Sequence, residues 1–397
     1  MFLIKVDPLH TSSDSACFKT IAQALREAEK HAGESIIIEI APGLYRERLE
    51  VHQPDVFFKG TDCRNTILTY DDYAKAIMPD GEKRGTFRTP TLFINADRFH
   101  ACGMTFENTA GRGRDVGQAL ALYVDGDEIV FENCRISGSQ DTLFTGPLPP
   151  APYETNGFRG PKENAPRVNG RHYYKNCFIS GDVDFIFGSA TAYFEDCEIF
   201  SRGPGKEIGR TDTSASTSQG QPGGTGTTTQ TSQGQPGGTG TTPPTSQGQS
   251  GRTDTTSPAS QVHLSGTATV MRTIQSQPCG YVTAASTPQG QPYGYVFNHC
   301  RFTGDCSPAS VYLGRPWRNY AKTVILNSYL GSHIHPAGFH DWDKPDARDT
   351  VFYAEYKNYG PGADILGRAA FVRQLTDAEA ACYARDCVIG NGSTQRI

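Results

Sequence analysis

Several things that would commit a protein to an obvious partner are missing from this 397-residue chain. It has no strong charge of one sign, since 37 Lys and Arg stand against 42 Asp and Glu, for a net charge of -5. That excludes a protein that binds nucleic acid through bulk positive charge. No apolar run approaches the roughly 18 residues of a membrane helix. Met1 to Asp7 turns charged too soon for a secretory leader, so the chain is expected to stay inside the cell or to need a leader not visible here. The eleven cysteines have no CxxC spacing of the zinc-site kind, and an odd number leaves at least one unpaired in a monomer. Long helical periods are also scarce, which argues against a doubly wound α/β sheet with a helix after every strand.

What the chain has instead is repetition. The pattern aromatic-x-x-Cys-x-apolar starts at Phe99, Phe131, Tyr174, Phe194 and Phe297, with a looser serine copy at Ile325 to Leu330. Cys177 and Cys197 are one short repeat apart, the length of a single coil of a solenoid. Strands are short and rich in Val, Ile, Phe and Tyr. The expected fold is an all-β solenoid, a parallel β-helix with a short helix at each end. The pattern Phe18 to Ala28 predicts the first helix, and Thr376 with Glu379 predicts a capping box that opens the last. The cysteines are expected to stack as small apolar fillers in one column containing Cys102, Cys134, Cys177, Cys197 and Cys300. Cys177 and Cys197 are also disulfide candidates, because adjacent coils bring Cα atoms within bridging range.

Two segments interrupt the rhythm. Residues 145–170, rich in proline and glycine, read as a long ordered loop. Residues 210–261 form a low-complexity insert in which Ser218 to Thr228 reappears at Ser232 to Thr242. From Arg210 to Ser260 the sequence has no Leu, Ile, Val or aromatic residue. Such a segment cannot offset its ordering entropy by burial and is expected to be a disordered, tolerated loop within one domain spanning 1–397.

Written over one another, residues 131–144 and 174–187 match at Asn, Cys, Ile, Ser and Gly, and the match places Asp141 over Asp184. Stacked coils would hold the two carboxylates about 5 Å apart. Such a pair cannot easily ionise twice, so one acid becomes an anionic nucleophile or base and the other a neutral acid. Gln140 adds an amide donor. Arg315 offers a bidentate cation for one aspartate, and Trp317 a large aromatic face. The plain alternatives are a solvated Asp ladder, a surface ion pair for Arg315 and loop packing for Trp317.

The ordered set Gly43-Leu-Tyr45-Arg-Glu47, Gln118-Ala-Leu-Ala-Leu122, Gly138-Ser-Gln140-Asp141-Thr-Leu143, Gly181-Asp-Val-Asp184-Phe-Ile-Phe-Gly188 and Leu313-Gly-Arg315-Pro-Trp317 resembles the pectin methylesterase (pectinesterase) family. Tyr353 to Ala363 resembles that family's C-terminal signature. The resemblance implies a right-handed parallel β-helix that hydrolyses C6 methyl esters of galacturonate in pectin. It implies Asp184 as nucleophile, Asp141 as general acid and then base, Gln118 and Gln140 as oxyanion donors, and Arg315 as the residue that orients the nucleophile. Trp317, Phe187 and Phe144 would contact sugar. Phe144 stands where the family often has a groove tyrosine, and Phe339 where it often has a second tryptophan.

No metal or cofactor is expected. The expected partner is methyl-esterified pectin, met by an extracellular monomer with no nucleic acid or membrane partner. The rival readings are a β-helix pectate lyase or polygalacturonase, of which the lyase would need calcium, and a non-catalytic pectin-binding solenoid.

Overall fold

The computed structural model describes residues 1–11, 17–205 and 278–390. The low-complexity insert 210–261 lies outside the described residues. Within them the chain winds into coils whose strands build three sheets, and a complete coil gives one strand to each. The sheets contain twelve, eight and seven strands. The ladders that carry the site are parallel throughout. The expected all-β solenoid is therefore a parallel β-helix.

One coil shows how the sequence does this. Arg171–Lys175 lies in the first sheet, Phe178–Gly181 in the second and Val183–Gly188 in the third. The next coil begins with Arg171 paired to Thr191 and Tyr174 to Phe194. The corner between the first two sheets needs one residue with positive φ in each coil. It is Asn133, Asn176, Asp196, His299 and Asn327 in successive coils, with φ between 49° and 54°. Asparagine and aspartate tolerate this left-handed conformation better than most side chains. Asn176 Nδ2 also donates to Asn133 Oδ1 at 2.5 Å, tying the corners together.

The aromatic position of each repeat fills the interior. Phe131, Tyr174, Phe194 and Phe297 stack in sequence with ring centroids 5.4, 4.7 and 4.4 Å apart. Each such pair contributes about 1 kcal/mol beyond its burial. The cysteine column is also present, with two corrections. The strand pairing sets Cys102 opposite Glu132 and Thr105 opposite Arg135. Met104, rather than Cys102, therefore occupies the column beside Cys134.

The candidate Cys177–Cys197 disulfide is the second correction, since all eleven cysteines are free thiols. Their sulfurs serve the corner backbone instead. Cys177 Sγ donates to Phe131 O at 3.4 Å, Cys197 Sγ donates to Tyr174 O at 3.4 Å, and Cys177 N donates to Cys197 Sγ at 3.4 Å.

Both terminal helices form. The first, Ile21–Ala28, starts later than its periodicity suggests because Cys17–Phe18 pairs as a short strand, and Thr20 with Gln23 makes its capping box. The last capping box, Thr376 with Glu379, opens Asp377–Ala381 as expected. No helix among the described residues is long and apolar enough to cross a membrane.

Candidate active site

The site lies on the outer face of the third sheet. Four neighbouring strands build it: Leu143–Thr145, Val183–Gly188, Gly280–Ala285 and Val311–Pro316. Leu143 pairs with Ile186 and Phe144 with Phe187. Counting back two residues sets Asp141 opposite Asp184, the alignment read from the repeats. Both aspartates hold positive φ, 62° and 49°. The register between Val183–Gly188 and Gly280–Ala285 slips between Val183 and Ile186, a bulge that contains Asp184. Bulges re-aim side chains beside functional sites. Gly181, just before it, has to be glycine, since a Cβ there would come within 2.2 Å of Phe185 Cβ and 2.5 Å of Ser139 O.

Arg315 reaches Asp184 from two strands away. Phe187, Ala284 and Arg315 form one row across the sheet, and the small Ala284 leaves room for the guanidinium to pass. Arg315 Nε donates to Asp184 Oδ1 at 2.8 Å and Nη2 donates to Oδ2 at 2.7 Å. This two-pronged grip fixes both carboxylate oxygens. The guanidinium is itself held between two rings, with its central carbon 3.8 Å from the Tyr281 ring centroid and 3.7 Å from that of Trp342.

The two acids are thereby made unequal. Burial raises the Asp184 carboxyl, and the Arg315 hydrogen bonds and charge oppose that rise. Burial first, and then the Asp184 charge, raise Asp141 well above the usual carboxylate range. No protein group hydrogen-bonds to the Asp141 carboxylate among the described residues. We therefore assign the charge to Asp184 and the proton to Asp141, since only Asp184 has a cation bonded to both oxygens. Arg315 is raised in turn: burial alone would lower it, and the Asp184 bonds outweigh that.

A groove of about 340 Å³ opens over the pair. Gln118 and Gln140 line it together with Asp141, Asp184, Phe187, Arg315 and Trp317. Gly113 makes the place for Gln140, because a Cβ there would lie 2.5 Å from Gln140 Oε1. The ordered loop 145–170 forms one wall. Arg167 pins it through bonds to the carbonyls of Lys162, Ala165 and Glu163. Its Tyr153 hydroxyl donates to Trp317 O at 2.9 Å, and the Arg318 guanidinium lies 3.7 Å from the Tyr153 ring centroid.

Phe144 is not at the groove surface. It is fully buried under Phe187, Phe87 and Trp317, with ring centroids 4.9, 5.1 and 6.4 Å away. Its role is to support the groove aromatics rather than to touch a ligand. Phe339 is likewise a core residue, stacked on Tyr353 at 4.2 Å. The second tryptophan of the groove is Trp342, three residues on. Sequence reasoning missed Trp342 and Tyr281 as the clamp on Arg315, and the spacing of neither residue marks it. His340, Asp341 and Asp343 come close enough to meet at one point, but Asp341 is already bonded to Arg348.

Comparison with known proteins decides the family. The pectinesterase profile matches residues 9–147, 165–242 and 250–392. This chain belongs to the pectinesterase family. It is 28% identical over 405 residues to the pectinesterase/pectinesterase inhibitor U1 of Solanum lycopersicum, covering 98% of this chain and 51% of that protein. It is 28% identical over 366 residues to pectinesterase QRT1 of Arabidopsis thaliana, covering 91% of this chain and 71% of that one. The chain thus spans about half the length of the tomato pectinesterase.

Among solved structures, the pectin methylesterase from carrot is 25% identical with a TM-score of 0.66, covering 98% of this chain and 94% of that one. A pectin methylesterase mutant in complex with a hexasaccharide is 26% identical with a TM-score of 0.64, covering 98% of this chain and 97% of that chain.

Proposed function

We propose that this pectinesterase hydrolyses the C6 methyl esters of galacturonate units in pectin and releases methanol. The observation that carries the reading is the asymmetry of the acid pair: Asp184 gripped through both oxygens by Arg315, with Asp141 buried beside it. In the reaction, an Asp184 oxygen attacks the ester carbonyl carbon. The Gln118 and Gln140 amides donate to the developing oxyanion, each worth about 3 kcal/mol of transition-state stabilisation. Asp141 gives its proton to the departing methoxide as the C–O bond breaks, leaving an acyl-enzyme on Asp184. Asp141, now a carboxylate, takes a proton from water, and the hydroxide frees the galacturonate carboxylate and Asp184.

Trp317 and Phe187 are assigned to sugar contact, since aromatic faces suit the apolar faces of pyranose rings and both line the groove. We also assign the chain to one catalytic domain, 1–397, with the 210–261 insert inside it. It would work as a monomer and, since pectin is a wall polysaccharide, outside the cell. The test measures methanol release from methyl-esterified pectin and cleavage of its chain, each with calcium and with a calcium chelator. Methanol without chain cleavage supports the reading. Chain cleavage that requires calcium would replace it with a lyase.

A further inference from the structure

Outside the active site, two half-buried thiols face one another. Cys279 Sγ and Cys306 Sγ are 2.9 Å apart. Their surroundings are unlike those of the cysteine column. Cys134, Cys177, Cys197 and Cys300 are sealed in the core, whereas Cys279 and Cys306 are partly open to solvent. Cys306 Sγ also approaches Ser201 O at 3.6 Å. Burial, and then the Cys279 hydrogen bond, push the Cys306 thiol up, so it holds its proton in the reduced protein.

The pair sits where two stems of the chain meet. One stem runs out through Ser201 and Gly203. Gly203 N donates to the Asp305 carboxylate, and a Cβ on Gly203 would come within 2.7 Å of Asp305 O. The other stem runs in through Cys279, whose N–H donates to Ser310 O at 2.7 Å. Residues 206–277 lie between the stems. Asp305 and Cys306, neighbours in sequence, therefore hold both. Cys279 also leads directly into Gly280–Ala285, the strand beside the nucleophile strand. Two residues on, Tyr281 forms one face of the clamp on Arg315.

We propose that Cys279 and Cys306 are a thiol-disulfide exchange site, taking a small external disulfide such as oxidised glutathione as co-reactant. One thiolate attacks the external disulfide and forms a mixed disulfide, releasing one external thiol. The second cysteine then attacks the mixed disulfide and releases the other external thiol. Two S–H bonds and one external S–S bond break, one protein S–S bond forms, and both protons and both electrons leave on the two external thiols. The sulfurs need to close by less than about 1 Å to reach bonding distance. The product staples the returning stem, and with it the Tyr281 strand, to the corner that already anchors the outgoing stem.

The experiment uses the full chain, equilibrated either with oxidised glutathione or with a reductant, then alkylated and digested without reduction. The expected result is a linked pair of peptides joining Cys279 to Cys306. The oxidised protein should also melt on the order of 5 °C higher than the reduced one. Cys279→Ser and Cys306→Ser should each lose the linked peptide and the redox-dependent difference in Tm, while their reduced forms keep wild-type methanol release. The proposal is overturned if both cysteines are fully alkylated after exposure to oxidised glutathione. It is also overturned if either is found bonded to a different cysteine.

Discussion

Asp141 and Asp184 occupy equivalent places on adjacent coils, with the same left-handed backbone, yet only Asp184 is bonded to Arg315 through both oxygens. Two acids made equal by the repeat are made different by one side chain that crosses two strands. The proposed division of labour between nucleophile and acid rests on that difference.

Asp141 should reveal itself through pH. Its folded-state pKa is raised above its unfolded value, chiefly by burial. The stability it contributes is therefore complete below about pH 4 and is lost as pH rises toward the folded-state value. Asp141→Asn removes that loss. The Tm of the variant relative to wild type is expected to climb as pH rises from about 4, while its methanol release stays severely reduced at every pH. A Tm difference that does not change with pH would show that Asp141 is not held protonated.

Arg315 is a two-pronged clamp rather than a bare positive charge, so a lysine cannot replace it. Arg315→Lys loses one of the two bonds to Asp184 and the flat stack between Tyr281 and Trp342. The expected cost is about 2–3 kcal/mol of activation free energy, roughly 100-fold in kcat. Steady-state kinetics on methyl-esterified pectin check this, and a kcat within about threefold of wild type would contradict it.

The acid pair, the aromatic stack and most of the cysteine column were legible in the sequence because one coil copies the next. The misplacement of Cys102 has a physical reason. Phe99 and Ala101 are two residues apart in a region where side chains alternate, so both are buried. A two-residue slip therefore leaves the in-and-out pattern unchanged. Phe144 was misjudged for another reason. It sits in the same row as Phe187, and what separates a covered ring from a groove ring is Phe87 and its neighbours, which come from loops outside the repeat. Trp342 was missed because it reaches Arg315 from a turn with no fixed spacing to the strands.

The corner asparagines give a fold prediction independent of chemistry. Asn176 holds φ at 50° and donates to Asn133. Asn176→Ala should cost about 1–2 kcal/mol, from left-handed strain and the lost bond, and Asn176→Gly should cost less because glycine accepts that φ. Denaturant unfolding checks the order of the two variants. A glycine variant less stable than the alanine variant would mean that the corner conformation is not the constraint.

The central claim is that Asp184 attacks the ester. Methanol release from methyl-esterified pectin by Asp184→Asn, beside wild type and with circular dichroism confirming the fold, tests it most directly. The amide has nearly the same shape as the carboxylate but is not a nucleophile, so turnover should fall by at least about 10⁴-fold with the β-sheet signal intact. Turnover within about tenfold of wild type in a folded Asp184→Asn protein would contradict the account.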